Sequence, residues 1–244
     1  MATIAVGDIH GNLSALNDLL AEILPELNGG DTLVFLGDYI DRGSDSRGCI
    51  EKIIKLQHSA DFEVVTLMGN HEQWMLRSLH DPWTHSWIVG MEAFETIESY
   101  SPNAARILAK ALEEGGIDVI LKKRPLPYHV FIDSLPAEHL DFFSRLQLFH
   151  RSPDVISAHG GVDLEGHLHS QDPDVYVWGL SGFPEDYRGN DPVVYGHRND
   201  AVEDATGRPM PVMRENRAYG IDTIEKGVLT ALRFPDLQVF QSKR

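Results

Sequence analysis

Two apolar patterns alternate along the chain. Short runs rich in β-branched residues, "TIAV" (3–6), "TLVFL" (32–36), "EVVTLM" (63–68), "VISA" (155–158) and "VVYG" (193–196), read as strands. Between the first two, "NLSALNDLLAEILPEL" sets Leu13, Leu16, Leu19, Leu20, Ile23, Leu24 and Leu27 on helical spacing, with Asn12 or Ser14 as N-cap and "NGG" as the stop. "SRGCIEKIIKLQHSA" repeats the pattern after the second run. This β-α-β-α-β order predicts an α/β layer with right-handed crossovers. From Gln73 to Arg124 the pattern turns helical and aromatic-rich, which predicts a helical insertion. Trp74, Trp83, Trp87 and Phe94 are expected to form its core. The tail, "YGIDT", "GVLTALRF" and "LQVFQ", reads as three strands with turns at "EKG" and "PD", expected to form an antiparallel meander in a second sheet. The 244 residues are read as one domain, 1–244, with about 73–124 inserted.

Composition narrows the class. With 42% hydrophobic and 24% charged residues the chain can bury an ordinary core. Its formal charge of −16 argues against duplex nucleic acid or an anionic membrane surface as main partner. The single cysteine, Cys49, excludes an internal disulfide and a cysteine-based zinc site, and its place on an apolar helix face predicts an inert buried thiol. No apolar stretch is long enough to span a membrane, and the first strand begins almost at once, so a cytoplasmic, soluble, monomeric protein is expected.

The chemistry lies where the apolar runs stop. The first ends "GDIHG", with Asp8 and His10; the second ends "GDYIDRG", with Asp38, Asp41 and Arg42. The third ends "GNHE", with Asn70 and His71, and the later two end at His159 ("AHGG") and His197 ("YGH"). Any one Gly-Asp or strand-end histidine is ordinary turn or core chemistry; five in succession are not. The crevice at the carboxyl ends of strands in an α/β sheet is where ligands bind. Carboxylate, imidazole and amide oxygen there, without thiolate, make a donor set suited to Mn, Fe or Zn. The count fits two divalent ions: Asp8, His10 and Asp38 for one, Asn70, His159 and His197 for the other, with Asp38 bridging. Two such ions, about 3.5–4 Å apart, clamp a phosphoryl displacement. With Arg42 they also make a locally positive pocket in an acidic protein. His167 and His169, in the polar "GHLH" loop, are read as surface residues.

These five motifs, in this order, resemble the signature of the phosphoprotein phosphatase superfamily, most closely its small bacterial and phage-type serine/threonine phosphatases. "LPAEHLDFFSRLQLFH" and "QDPDVYVW" are similar to such bacterial enzymes too. The resemblance implies a β-sandwich of mixed sheets flanked by helices, with a dinuclear centre, manganese above all, at its edge. It implies a bridging hydroxide as in-line nucleophile, His71 as general acid oriented by Asp41, and Arg42 on the phosphate. The substrate would be a phosphorylated protein or a small phosphoester. Symmetrical dinucleoside polyphosphate hydrolases are the nearest rival, but tend to lack the aspartate of "DRG" and carry Asp after "GNH"; Asp41 and Glu72 therefore favour the protein phosphatase. A catalytically weak phosphate-binding protein is the rival of a different class. It is motivated by "VWGLSG", where Leu180 stands in a slot that commonly holds a phosphate-gripping arginine. Arg188 is the first candidate to replace that charge, with Arg198 and Arg47 behind it.

Overall fold

A computed structural model describes residues 1–168 and 172–243; His169 lies outside them. The order begins β1 (Thr3–Val6), α1 (Leu13–Ile23), β2 (Thr32–Phe35), α2 (Ser46–Ser59) and β3 (Glu63–Thr66). Helices α3 (Asn70–His80), α4 (Ser86–Gly90), α5 (Phe94–Tyr100), α6 (Pro102–Gly115), α7 (Asp118–Leu121), α8 (His129–Ile132) and α9 (Ala137–Ser144) follow. Then come β4 (Phe149–Arg151), β5 (Ile156–Ala158), α10 (Pro173–Trp178), β6 (Val193–Tyr195), β7 (Val202–Glu203), β8 (Pro209–Met210), β9 (Val212–Met213) and β10 (Ala218–Gly220). The hairpin β11 (Thr230–Phe234) and β12 (Val239–Gln241) ends the chain's regular structure.

Two five-stranded mixed sheets, ordered β12-β11-β1-β2-β3 and β4-β5-β6-β10-β9, account for the architecture. In each, three strands are parallel: β1, β2 and β3 in the first, β5, β6 and β10 in the second. Alternation along each strand divides the core into layers. Ala5, Val34, Leu36 and Val65 of the first sheet meet Val155, Val194, Tyr219 and Ile221 of the second. Ile4, Val6, Leu33 and Phe35 point the other way, against α1, α2 and the helical segment. Ile156, Ala158, Val193 and Tyr195 face outward onto Tyr176, Phe183 and Tyr187. The result is a mixed α/β sandwich flanked by helices.

Three expectations are corrected. The tail is no meander: β10 joins the second sheet parallel to β6, whereas β11 pairs antiparallel with β1 in the first. The link through "IDTIEKG" contains a short 3₁₀ turn, Ile224–Lys226, and carries the chain from one sheet to the other. Such a crossover leaves no mark on period-2 alternation. Asn12 precedes α1 but does not cap it, since its side-chain amide donates to the Ile9 and His10 carbonyls. The aromatic set is also divided: Trp87 is fully buried, Trp83 is 52% exposed, and Trp74 packs on Trp178 with centroids 4.9 Å apart. Among the described residues no helix is long and apolar enough to cross a membrane.

Cys49 is fully buried in α2, and burial pushes its thiol well above the ordinary range. Because the thiolate is the reactive form, Cys49 is expected to ignore a disulfide reagent at pH 8 in the folded protein and to titrate with one equivalent in denaturant. Rapid stoichiometric labelling of the native chain would contradict this burial.

Candidate metal centre and active site

The loops leaving β1, β2, β3, β5 and β6 meet at one edge of the sandwich, and all six expected metal ligands converge there. Asp38 is the hub. Its carboxylate lies 3.5 Å from His10 Nε2, 3.4 Å from His159 Nε2 and 3.8 Å from His71 Nε2. Asn70 Oδ1 lies 2.9 Å from both His159 Nε2 and His197 Nδ1. Asp8 accepts from the His197 backbone N–H, at 3.0 Å to Oδ2. Asp8, His10, Asp38, Asn70, His71 and His159 are all buried.

Backbone geometry gives up stability to bring these groups together. His10, Asp38, Asp41, Arg42 and His197 all have φ between 44° and 70°, a left-handed conformation costly for residues with a Cβ. Two glycines make room for the carboxylates. A Cβ on Gly196 would lie 2.0 Å from Asp8 Oδ1, and one on Gly69 would lie 2.1 Å from Asp38 Oδ1.

The donor set fits divalent metal. Asp8, Asp38 and His159 bring ligand atoms within 4.8 Å of one another, and so do His10, Asp38 and His71. Proximity alone therefore does not separate His71 from the ligands, and a carboxylate on the far ring nitrogen is common among metal-bound histidines as well. His71 Nδ1 is 2.7 Å from Asp41 Oδ2, a contact that holds the ring by its far nitrogen. Burial lowers the pKa of His10 to about 3 and that of His197 to about 4, leaving both rings neutral with a lone pair to offer. Burial works against the Asp38 carboxylate, but His159, His71 and His10 outweigh it and keep its pKa well below the usual range. Asp8 is driven the other way, by burial and then by the charges of Asp222 and Asp38. Such a group of buried carboxylates, with Arg42 acting on Asp8 from the opposite sign, is costly without further positive charge.

Asp41 is held on both carboxylate oxygens. Thr96 Oγ1 donates to Oδ1 at 2.6 Å, Trp87 Nε1 donates to Oδ2 at 2.9 Å, and the Asp41 N–H donates back to Thr96 Oγ1 at 2.7 Å. Burial raises its pKa against these bonds. Burial would lower His71, but the Asp38 and Asp41 carboxylates prevail and its pKa is raised above the ordinary imidazole value. With Nδ1 committed to Asp41, the proton available to a ligand sits on Nε2.

The arginines separate. Arg42 reaches His10 Nε2 at 2.9 Å and forms an ion pair with Glu225. Arg188 is not brought into the site: its exposed side chain pairs with Glu165, 2.5 Å away, and its backbone N–H donates to the Leu164 carbonyl at 2.8 Å. Arg47 is likewise exposed and paired with Glu51. Arg198 follows His197 directly. Its Nε is buried without a hydrogen-bond partner, its guanidinium lies over the Phe183 ring, and it acts electrostatically on His197. His167 is exposed beside Asp163.

Two residues escaped the sequence reading as parts of the site. Asp222 is buried, accepts from the Asn199 N–H at 2.8 Å and has an unpartnered Oδ1. Burial raises its pKa to about 6. Its signal was present: "YGID" is a sixth apolar run ending on a carboxylate. Glu72 is fully buried, and its carboxylate accepts from four backbone amides, those of Asp38 (2.9 Å), Tyr39 (2.8 Å), Ile40 (3.2 Å) and Gly69 (3.1 Å).

The sequence model of calcineurin-like phosphoesterases matches residues 1–198. The chain is 37% identical over 84 residues to serine/threonine-protein phosphatase 1 of Salmonella typhimurium, covering 34% of this chain and 36% of that protein. It is 34% identical over 82 residues to a symmetrical bis(5'-nucleosyl)-tetraphosphatase of Pseudomonas putida (33% and 26%), and 29% identical over 83 residues to a zinc-dependent endopolyphosphatase of Saccharomyces cerevisiae (34% and 24%). The matched stretches thus span well under half of each of these relatives. In three dimensions it is similar to a candidate diadenosine tetraphosphatase, with a TM-score of 0.63, 21% identity, and 98% and 92% of the two chains covered. A serine/threonine phosphatase from Saccharomyces cerevisiae superposes with a TM-score of 0.55 at 14% identity, covering 100% and 80%.

The four bonds to Glu72 generate a prediction. Glu72→Gln keeps the shape but sets an amide N–H₂ against backbone donors, so it is expected to cost about 2–4 kcal/mol of stability in urea unfolding. A midpoint equal to that of the parent chain would mean that these bonds do not hold the loops.

Proposed function

Since the chain belongs to the calcineurin-like phosphoesterase family, and is a metallophosphatase, we propose that it is a serine/threonine protein phosphatase working as one catalytic unit over residues 1–244. Asp8, His10 and Asp38 would hold one divalent ion, and Asn70, His159 and His197 the other, with Asp38 shared. Manganese suits the all-N/O donor set, and iron or zinc would also be accepted. When bound, such ions neutralise charge on the phosphoryl oxygens and supply a water of lowered pKa. Arg42 holds the phosphate, and His71 Nε2–H protonates the departing oxygen. A cytoplasmic monomer acting on phosphorylated proteins completes the reading; the single buried cysteine suits a reducing compartment.

The observation that carries it is the 2.7 Å Asp41–His71 contact. A seryl or threonyl alkoxide is a poor leaving group, so its expulsion requires a proton donor held in place. A nucleoside di- or triphosphate leaves easily and makes no such demand. The buried Asp41, fixed by Thr96 and Trp87, is an investment in acid catalysis that a dinucleoside tetraphosphate does not need. The second reading, a symmetrical dinucleoside tetraphosphatase, draws on the 34% identity to the Pseudomonas putida enzyme. A binding protein without turnover is disfavoured by the intact Asp41–His71 pair.

The test uses metal-stripped protein titrated with Mn²⁺. Hydrolysis of p-nitrophenyl phosphate and of a phosphoserine peptide is expected to rise saturably. His71→Asn is expected to keep its metal yet lower kcat on the phosphoserine peptide by roughly 10²–10⁴-fold. The loss should be smaller on p-nitrophenyl phosphate, whose leaving group needs less help. Loss of metal from that variant would make His71 a ligand and defeat the assignment; diadenosine tetraphosphate hydrolysed far faster than the peptide would favour the second reading.

A further inference from the structure

Among the described residues, Arg198 stands apart from the other arginines around the site. Arg42, Arg47, Arg188 and Arg214 each pair with a carboxylate. None pairs with Arg198 among the described residues, although its Nε is buried with no hydrogen-bond partner. The head is confined all the same. Its guanidinium lies 5.8 Å from the Phe183 ring centroid, and a Cβ on Gly179 would come within 2.6 Å of Nη2 and of the Gly160 carbonyl oxygen alike. The guanidinium is thus lodged between the loop that follows His159 and the loop that follows Trp178. Only a glycine at position 179 leaves space for it, at a φ of 76°. Its neighbour in sequence, His197, is 2.9 Å from Asn70 and 5.8 Å, ring to ring, from Trp178.

Arg198 is half-buried, but a guanidinium Nε shut off from water without a partner carries a cost, and an anion beside the same head is what would offset it. We infer that Arg198 is a second phosphate-holding arginine of the site, taking the terminal phosphoryl group of the substrate from the side opposite to Arg42. This rests on the metallophosphatase reading of the same centre. Arg42 arrives on the loop after β2 of the first sheet and Arg198 on the loop after β6 of the second. The two sheets would therefore each contribute one cation, and a doubly charged phosphomonoester would be preferred over a singly charged diester. Leu180 fills the neighbouring position in the Trp178 loop and is 38% exposed. An arginine reaching in from the His197 loop makes one at Leu180 unnecessary, and Arg188, tied to Glu165, is not needed either.

The experiment measures inorganic phosphate binding by calorimetry to the Mn²⁺-loaded full chain, with competitive inhibition of p-nitrophenyl phosphate hydrolysis alongside. Arg198→Met keeps the aliphatic packing over Phe183 and removes the charge; Arg198→Lys keeps a charge without the fork. Phosphate affinity is expected to fall about 10- to 100-fold in Arg198→Met, with KM rising more than kcat falls. Arg198→Lys should recover part of the loss. Unchanged phosphate affinity in a folded, metal-loaded Arg198→Met would overturn the inference, and so would a loss found in Arg188→Ala but not in either Arg198 variant. If the parent chain hydrolysed no phosphomonoester while its phosphate binding still depended on Arg198, the proposed function would fail and the anion site would stand.

Discussion

The buried carboxylate of Glu72 is the constraint on which the site depends. Its four backbone donors lie on two separate loops, three after β2 and one before α3. One side chain thereby fixes Asp38, the hub of the centre, relative to Asn70 and His71, which open the first turn of α3. The strain it opposes is considerable. Three of the five left-handed residues with a Cβ, Asp38, Asp41 and Arg42, lie on the loop after β2; at about 1–2 kcal/mol each they come to roughly 3–6 kcal/mol, a large part of a domain's whole stability. Hydrogen bonds to a carboxylate, at about 1.5–3 kcal/mol each, are of matching size over four bonds before desolvation is counted. The larger share of the distortion, at Asp38, Asp41 and Arg42, therefore lies on the loop that Glu72 restrains.

The helical segment serves the site as well as covering the sheet. Trp87 on α4 and Thr96 on α5 both bond Asp41, and Ser46 at the start of α2 joins the same network, 3.0 Å from Thr96. On the other side, Gln73 accepts from Trp178 and donates to Asp174, tying α3 to α10. A segment that would otherwise read as a lid supplies the hydrogen bonds that set the orientation of the proposed acid. Packing and chemistry cannot be separated there: the buried face of Trp87 fills the core while its indole N–H serves Asp41.

Much of this was legible in the sequence, and the physical reason is local. Short, continuous β-branched runs marked the parallel strands, because most of these are buried on both faces and bounded by turn residues. The clustering of Asp8, His10, Asp38, Asn70, His159 and His197 followed from strand order and from the rule that ligands gather at strand carboxyl ends. What could not be read was set by long-range partners. The placement of β11 beside β1 depends on a 3₁₀ turn that no hydrophobic period encodes. The role of Thr96 depends on a contact 55 residues away in sequence. Arg188 and Arg198 look alike as letters before a glycine and after a histidine; only the Glu165 pairing of one and the buried, unpartnered Nε of the other tell them apart. Asp222 is the exception, since its strand-end pattern was visible and went unused.

The charge of the whole chain and the charge of the site pull in different directions, and the structure reconciles them by location. A net −16 spread over the surface repels anions at long range, yet at physiological salt it is screened beyond about 8 Å. Inside the edge of the sandwich the screening ions are excluded and near neighbours decide. There Asp8, Asp38 and Asp222 are buried together, an arrangement that folds at tolerable cost only with cations among them. Divalent ions held by these residues would make the acidic pocket able to receive a phosphoryl group, and the proposed arginines, one from each sheet, would add to the same sign. On the proposed function, the acidity of the pocket is the means by which the protein would hold the positive charge that a phosphorylated substrate requires.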